Sequence, residues 1–186
     1  SYGGYFISLH SNGANNSANY VISEYCGTRS SNSTEKVSGS KKFAYTAAVQ
    51  HDKNRLTDVT YSTPRAINDY AFNGWNLGVL RTNTQVGYLV ESWFHDYRPE
   101  TLRMKGDAYN RYLAWQLARA YMEYPKGNAS GIKGCVVGDI RNTSKGCGYS
   151  KYTHRNRDSY LAVNGAKVEL INSSGTVVQT MTTDNW

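Results

Sequence analysis

One segment restricts the possible folds of this chain more than any other: an almost continuous apolar run over residues 86–94. Its apolar members are Val86, Tyr88, Leu89, Val90, Trp93 and Phe94. Such a run is typical of a strand whose two faces are both covered, as in a parallel sheet with helices on either side. Glu91 interrupts the run, and a buried charge is costly unless it is paired or bound to something. We therefore predict a central strand over residues 87–94 that carries a carboxylate of functional interest.

The remainder of the first 126 residues alternates between strand-like and helix-like segments. Further strands are predicted at residues 5–10, 20–25 and 77–80, and helices at residues 41–50, 64–70 and 107–124. The last helix has aromatic and aliphatic residues at three- and four-residue spacing, with Asp107 as its N-cap and Pro125 at its end. This order predicts an α/β fold with a mainly parallel sheet flanked by helices.

The pattern changes near residues 125–131. Strand-like segments follow at residues 132–140, 166–171 and 176–182, and a polar turn at residues 172–175 separates the last two. Their alternation predicts a C-terminal antiparallel β-sandwich segment. We expect two domains, residues 1–126 and residues 127–186.

The net charge of +7 favours anionic partners such as acidic glycans, anionic cell-wall polymers or nucleic acid. Lys and Arg are scattered, with no basic run that would indicate nucleic-acid binding. No apolar stretch approaches the roughly 18 residues that a membrane span needs, and no signal peptide is visible. The chain starts at Ser1, as a mature fragment would.

Three cysteines leave at least one thiol unpaired, Cys26 or another. Cys135 and Cys147 flank a polar segment that resembles a hairpin, and they could pair in an oxidising compartment or stay reduced. The sequence contains no CxxC motif, so we do not expect a cysteine zinc site.

His10 and Glu91 are the residues best placed for chemistry. His10 ends the first predicted strand, where α/β sheets collect reactive groups, and its imidazole could bind zinc or could be a hydrogen-bonded core residue. Glu91 could take a proton from a metal-bound water and return it to a leaving amine. It could instead form a structural ion pair with Arg81 or Lys105.

Three motifs in order resemble the catalytic domain of zinc-dependent N-acetylmuramoyl-L-alanine amidases. They are ISLHSNG, GWNLGVLR and VGYLVESWFHD, followed by the long helix, and the resemblance covers residues 1–124. It implies that His10, within the Ser8-x-His10-x-Asn12 pattern, is a zinc ligand and that Glu91 is the catalytic carboxylate. Asn12 and Trp93 are predicted to line the groove.

The same resemblance implies the reaction and its location. The expected activity is hydrolysis of the amide between N-acetylmuramic acid and L-alanine in peptidoglycan, by a periplasmic, cell-surface or secreted enzyme. The family's other two zinc ligands precede the segment that matches His10, and residues 1–9 contain neither His nor Glu. Because catalytic zinc takes about three protein ligands, we expect the rest to lie upstream and this fragment to be inactive alone. His95 is expected at the rim, and His51 and His154 have no supporting context.

Residues 131–186 resemble the start of a carboxypeptidase-regulatory-like β-sandwich, a spacer or adhesive module. Two other functions stay open. One is a non-catalytic cell-wall-binding protein of the same fold. The other is a glycoside hydrolase, which needs two carboxylates about 5–10 Å apart, with Glu91 and Asp96 as candidates.

Overall fold

A computed structural model describes residues 4–28, 34–59, 61, 64–133, 140–146 and 157–183. The strands of the N-terminal body are β1 (Phe6–Asn12), β2 (Ile22–Tyr25), β3 (Ala66–Asn68) and β4 (Gly87–Phe94). Its helices are α1 (Ser40–Lys53), α2 (Asp69–Asn73), α3 (Gly78–Arg81), α4 (Arg98–Met104) and α5 (Asp107–Lys126). They are followed by β5 (Arg141–Gly146), a 3-10 turn (Arg157–Ser159), β6 (Tyr160–Ala162), β7 (Lys167–Ile171) and β8 (Val177–Thr182).

The body is a mixed sheet with the strand order β1-β4-β2-β3. Strand β4 runs parallel to β1, β2 runs parallel to β3, and the β2–β4 pair is antiparallel. Helices cover the sheet, so the predicted α/β class with a mostly parallel sheet is confirmed. The apolar run over residues 87–94 forms β4 between two neighbouring strands, as its composition predicts.

Both faces of the sheet are covered. On one face, Phe43 of α1 and Tyr109 of α5 pack against Tyr88, Val90 and Trp93 of β4 in the main core. On the other face, Leu77 and Leu80 around α3 pack against Leu89, with Cys26 and Phe6 beside them. Leu89 therefore lies on one face of β4, and its neighbours Tyr88 and Val90 lie on the other, as expected for a strand.

The predicted strand at residues 77–80 is wrong, because this segment forms the one-turn helix α3. The Leu77 carbonyl accepts hydrogen bonds from the backbone N–H groups of Leu80 and Arg81, at 3.0 and 2.8 Å, which closes the turn. Leu80 then points inward and is 1% exposed. A short apolar run can be buried by a helical turn as well as by a strand, so its pattern does not distinguish the two.

The predicted helix at residues 64–70 is only partly correct. Residues 66–68 pair with β2 as strand β3, and the helix starts at Asp69. Asn68 divides the two elements, because its side chain caps α2 by accepting from the N–H groups of Tyr70 and Ala71. Helix α4, which opens with proline in its first turn, was not predicted.

The helices predicted at residues 41–50 and 107–124 are confirmed as α1 and α5. Gly106, rather than Asp107, is the N-cap of α5, and Asp107 is its first helical residue. Pro125 lies inside the last turn, and Gly127 ends the helix with a φ of 73°. Within the described part of the chain, no helix combines the length and the apolarity needed to cross a membrane.

The C-terminal strands form two antiparallel pairs, β5–β6 and β7–β8. The predicted strands at residues 166–171 and 176–182 correspond to β7 and β8, and the Asn172 side chain accepts from the N–H groups of Ser174 and Thr176 in the turn between them. Most of the predicted strand at residues 132–140 lies outside the described residues. Cys135, Cys147 and His154 lie outside them too, and Cys26 is a buried free thiol.

A buried ionic network ties the C-terminal part to the body. Asp158, which is 2% exposed, accepts hydrogen bonds from Thr57, Tyr97 and Arg103 at 2.8, 2.9 and 2.5 Å. Arg103 also pairs with Glu100 at 3.3 Å. The predicted boundary at residues 126/127 stays a prediction, but Asp158 packs inside the first body.

His51 makes the stability of this fold dependent on pH. It is fully buried between α1 and α5, its Nδ1 lies 2.5 Å from the Gln116 Oε1, and its Nε2 has no partner among the described residues. Burial lowers its pKa from 6.5 to about 4. Because the unfolded chain then binds a proton that the folded chain excludes, stability is complete above pH 6.5 and falls as the pH drops towards 4.

We expect the lowered pKa of His51 to reduce the free energy of unfolding by about 3 kcal/mol between pH 7 and pH 4, because a shift of one pKa unit corresponds to about 1.4 kcal/mol. Urea unfolding at several pH values would measure this slope in the wild type and in His51→Gln, which cannot titrate. The variant should lose that part of the slope even if it is less stable at pH 7. Equal slopes would show that the pKa of His51 does not differ between the folded and unfolded chains.

Candidate functional site

The strand register places His10 and Glu91 next to each other. β1 and β4 are parallel, and His10 is the direct partner of Glu91 across them. Side chains directly opposite each other on neighbouring strands point to the same face of a sheet. Both residues therefore lie on the Leu89 side of the sheet, opposite the face that α1 and α5 cover.

Glu91 is partly buried, and its environment is unusual for a carboxylate. Its Oε2 atom is buried without a hydrogen-bond partner among the described residues. Neither Arg81 nor Lys105 pairs with it in that part of the chain, so the structural ion pair considered above is not formed there. Burial raises the pKa of Glu91, and the neighbouring His95 partly opposes this shift.

An irregularity in the register separates Trp93 from Glu91. His10 pairs with Glu91 and Asn12 pairs with Phe94, so β4 has one more residue than β1 in this interval. The extra residue reverses the alternation of the strand. Trp93 consequently lies in the main core, 1% exposed, with its ring 6.5 Å from that of His51. The predicted role of Trp93 in lining the groove stays a prediction.

His10 is exposed at the sheet edge and is not the buried core histidine considered as an alternative. Strand β1 is the terminal strand of the sheet, and β4 is its neighbour. The Nε2 atom of His10 lies 3.1 Å from the Ser8 hydroxyl on the same face of β1. Ser8 can orient the imidazole, which leaves its other ring nitrogen available to a ligand.

Asn12 has a structural contact that the sequence does not reveal. Its side-chain oxygen accepts from the N–H group of Gly13 at 2.7 Å, and its carbonyl accepts from the N–H group of His95 at 2.8 Å. The His95 ring lies 3.1 Å from the Ser11 hydroxyl and approaches Gly13 so closely that an added Cβ would be 2.8 Å away. Asn12 thus joins the ends of β1 and β4, and His95 is exposed beside it.

The Asp96 side chain binds the backbone of the loop after β1. Its Oδ2 atom accepts from the N–H groups of Ala14 and Asn16 at 2.8 and 3.1 Å. These bonds anchor the loop, and they provide a structural reason for a carboxylate at this position. The Asp96 Oδ1 atom, like the Glu91 Oε2 atom, is buried without a hydrogen-bond partner among the described residues. The pairing of Glu91 with Asp96 as hydrolytic carboxylates stays a prediction.

A second carboxylate, Glu24, lies near Glu91 and was missed by the sequence analysis. Glu24 of β2 pairs with Leu89, and Ile22 pairs with Glu91, so the two carboxylates share a face in diagonal positions. Glu24 is 1% exposed and accepts from the Asn73 amide at 2.6 Å. Burial, and then the charge of Glu91, raise its pKa to about 7. A charge within a buried strand was the signal for Glu91, and the same signal was present at Glu24.

The described residues do not fit a complete zinc site. They contain no group of three or more His, Cys, Asp or Glu side chains that could hold a metal ion. Catalytic zinc takes about three protein ligands and keeps one position open. His10 can supply one ligand, and the described residues do not complete a set of three around it.

Comparison with known proteins supports the fold. No protein-family model matches the sequence. No curated protein sequence matches it either. Solved structures of similar fold include the N-acetylmuramoyl-L-alanine amidase AmiC2 of Nostoc punctiforme, at 18% identity and a TM-score of 0.50. The N-acetylmuramoyl-L-alanine amidase from Clostridium difficile 630 is similar at 19% identity and a TM-score of 0.52. Cwp6 from Clostridium difficile is similar at 20% identity and a TM-score of 0.52.

These matches cover 66%, 65% and 66% of this chain. The chain in turn spans 58%, 57% and 18% of those three proteins. At such identities the likeness establishes that the body of this chain has the fold of N-acetylmuramoyl-L-alanine amidases.

Proposed function

We propose that this chain carries the acid–base part of a peptidoglycan amidase, with Glu91 as the catalytic group. The observation that carries the proposal is the partly buried Glu91 carboxylate, which lies beside His10 on one face of the sheet and has an oxygen without a hydrogen-bond partner among the described residues. A buried, unpaired carboxylate is costly to the fold, so a role in chemistry explains why one is present. The amidase fold of the body supports the same proposal.

Glu91 would act twice in the reaction. As a carboxylate it would take a proton from the attacking water, and as a carboxylic acid it would return that proton to the departing amine. Burial raises the pKa of Glu91, and a raised pKa favours the acid form that returns the proton. The scissile bond would be the amide between the lactyl group of N-acetylmuramic acid and L-alanine.

Zinc dependence belongs to this proposal as well. His10 would be one ligand, and its exposed position at the sheet edge leaves it accessible to groups from outside the described residues. Since those residues do not complete a zinc site, the catalytic role we assign is limited to Glu91. The net charge of +7 suits an anionic cell-wall environment, which would be reached at the cell surface, in the periplasm or after secretion.

Product analysis tests the proposed function. The intact gene product, supplied with zinc, would be incubated with purified peptidoglycan. We expect new alanine amino termini to appear without new reducing sugar ends. New reducing ends in place of amino termini would contradict the proposal and favour a glycoside hydrolase.

A non-catalytic wall-binding protein is the second candidate, because the described residues lack a three-ligand metal group. Such a protein would sediment with peptidoglycan and release no product. The zinc content of the intact gene product separates the two functions. Stoichiometric zinc that is lost in His10→Ala favours the amidase, and zinc-free protein that still binds the wall favours the binding module.

A further inference from the structure

Arg65 lies level with Glu91, the proposed catalytic carboxylate, when the register is followed across the strands of the sheet. Its carbonyl accepts from the N–H group of Ser23 at 2.9 Å, immediately before β3 pairs with β2. Since Ser23 is opposite Ala66, the preceding residues Ile22 and Arg65 are opposite each other, and Ile22 is in turn opposite Glu91. Neighbouring strands lie about 4.8 Å apart, so the backbones of Glu91 and Arg65 are about 10 Å apart.

Three aromatic rings surround the Arg65 guanidinium on that face. Its central carbon lies 4.9 Å from the ring centre of Tyr61, 5.8 Å from that of Phe72 and 5.9 Å from that of Tyr20. Tyr20 also packs edge-on against Phe94, the last residue of β4, at 4.7 Å. Stacking on aromatic faces is favourable for a guanidinium and limits its motion. The arrangement therefore holds Arg65 beside the end of the strand that carries Glu91.

In the part of the chain that the structure describes, the guanidinium nevertheless has no polar partner. Within the described residues, Arg65 forms no ion pair, and its side-chain nitrogens make no hydrogen bond. These nitrogens are not among the buried atoms that lack partners, so solvent reaches them. Glu24, the buried carboxylate on the same face, is bonded to Asn73. Arg65 thus keeps its N–H donors available, and Tyr61 and Phe72 beside it are 49% and 37% exposed.

We propose that Arg65 binds a carboxylate of the peptide that leaves the scissile amide. A planar guanidinium presents paired N–H donors that match the two oxygens of a carboxylate, and the flanking rings keep this plane oriented before the ligand arrives. An extended peptide spans about 3.3–3.6 Å per residue, so the carboxylate would belong to the second or third residue beyond the scissile amide. This inference rests on the proposed function, because Glu91 defines where that amide lies.

Equilibrium binding tests this subsite without any turnover. The intact gene product carrying Glu91→Gln would be titrated with an N-acetylmuramoyl tripeptide that has free carboxylates, and then with its carboxamide analogue. We expect the free acid to bind about tenfold to a hundredfold more tightly, the range for hydrogen bonds between charged groups. Arg65→Gln should abolish this preference, and Arg65→Lys should retain part of it.

Arg111→Gln is the matched control, since it removes the same charge from the exposed surface of α5, which packs behind the opposite face of the sheet. It should keep the full preference. Equal affinity for the two peptides, failure of both to bind, or a preference that survives Arg65→Gln would overturn the subsite. The comparison of the two peptides uses no Arg65 variant, so misfolding of a variant cannot obscure it. If the binding preference is preserved but the wild-type protein does not hydrolyse peptidoglycan, the proposed function alone is overturned.

Discussion

Replacing Glu91 with glutamine is expected to reduce peptidoglycan hydrolysis by the intact gene product about a hundredfold to ten-thousandfold, the usual contribution of a general acid–base group. The amide has nearly the same size as the carboxylate and cannot accept a proton from water. The Glu91 Oε2 atom has no partner among the described residues, so the exchange breaks no hydrogen bond there. Folding and zinc content should therefore be unchanged. Release of alanine amino termini, thermal unfolding and metal analysis measure the three quantities.

Glu169→Gln provides the matched control for that experiment. Glu169 pairs with Lys167 on the exposed strand β7, which is not part of the sheet that carries the candidate site. We expect its loss to leave hydrolysis at the wild-type rate. A Glu91→Gln protein that keeps its activity would remove the assigned role, whereas a protein that loses both activity and zinc would indicate that Glu91 is a ligand.

Replacing Asp158 with alanine is expected to lower the free energy of unfolding by about 3–5 kcal/mol, the usual effect of breaking a buried ion pair. The change leaves the Arg103 guanidinium, which is 2% exposed, without one of its carboxylate partners. It also removes one acceptor each from the Thr57 and Tyr97 hydroxyls, and losing buried hydrogen bonds is costly. Urea unfolding followed by circular dichroism measures the effect.

The Lys167–Glu169 pair is the natural comparison for the Asp158 network. Its side chains are 67% and 33% exposed, so Glu169→Ala should cost no more than about 1 kcal/mol. Similar losses in both variants would show that Asp158 does not anchor the C-terminal part to the body. A large loss only for Asp158 would show that residues on both sides of the predicted domain boundary unfold together.

The long elements were predictable because their signals are local and repeated. In α1 and α5, buried residues recur every three or four positions, and this repetition is visible without any knowledge of neighbours. The short elements were harder, because a run of four residues has no such repetition. Leu80 is buried from the single turn of α3 and would have been buried equally well from a strand.

The candidate site likewise has features that the sequence predicts and features that depend on strand pairing. An acidic residue inside an apolar strand is visible in the sequence, which is why Glu91 was found and why Glu24 could have been. Regular alternation along β4 would place Trp93 on the same face as Glu91. One extra residue in the pairing with β1 reverses that face, and only the partner strand determines where such an irregularity occurs.

Arg65 shows most clearly what depends on long-range packing. Nothing in its immediate sequence distinguishes it from the other basic residues, and its importance comes from Tyr20, Phe72 and the β2–β3 register that surround it. The sequence alone was sufficient to predict the α/β class and the carboxylate within the apolar strand β4, because both follow from the energetic cost of burying charge or exposing apolar surface. The folded chain determined which of these groups share a face, since residues far apart in sequence become neighbours only through strand pairing.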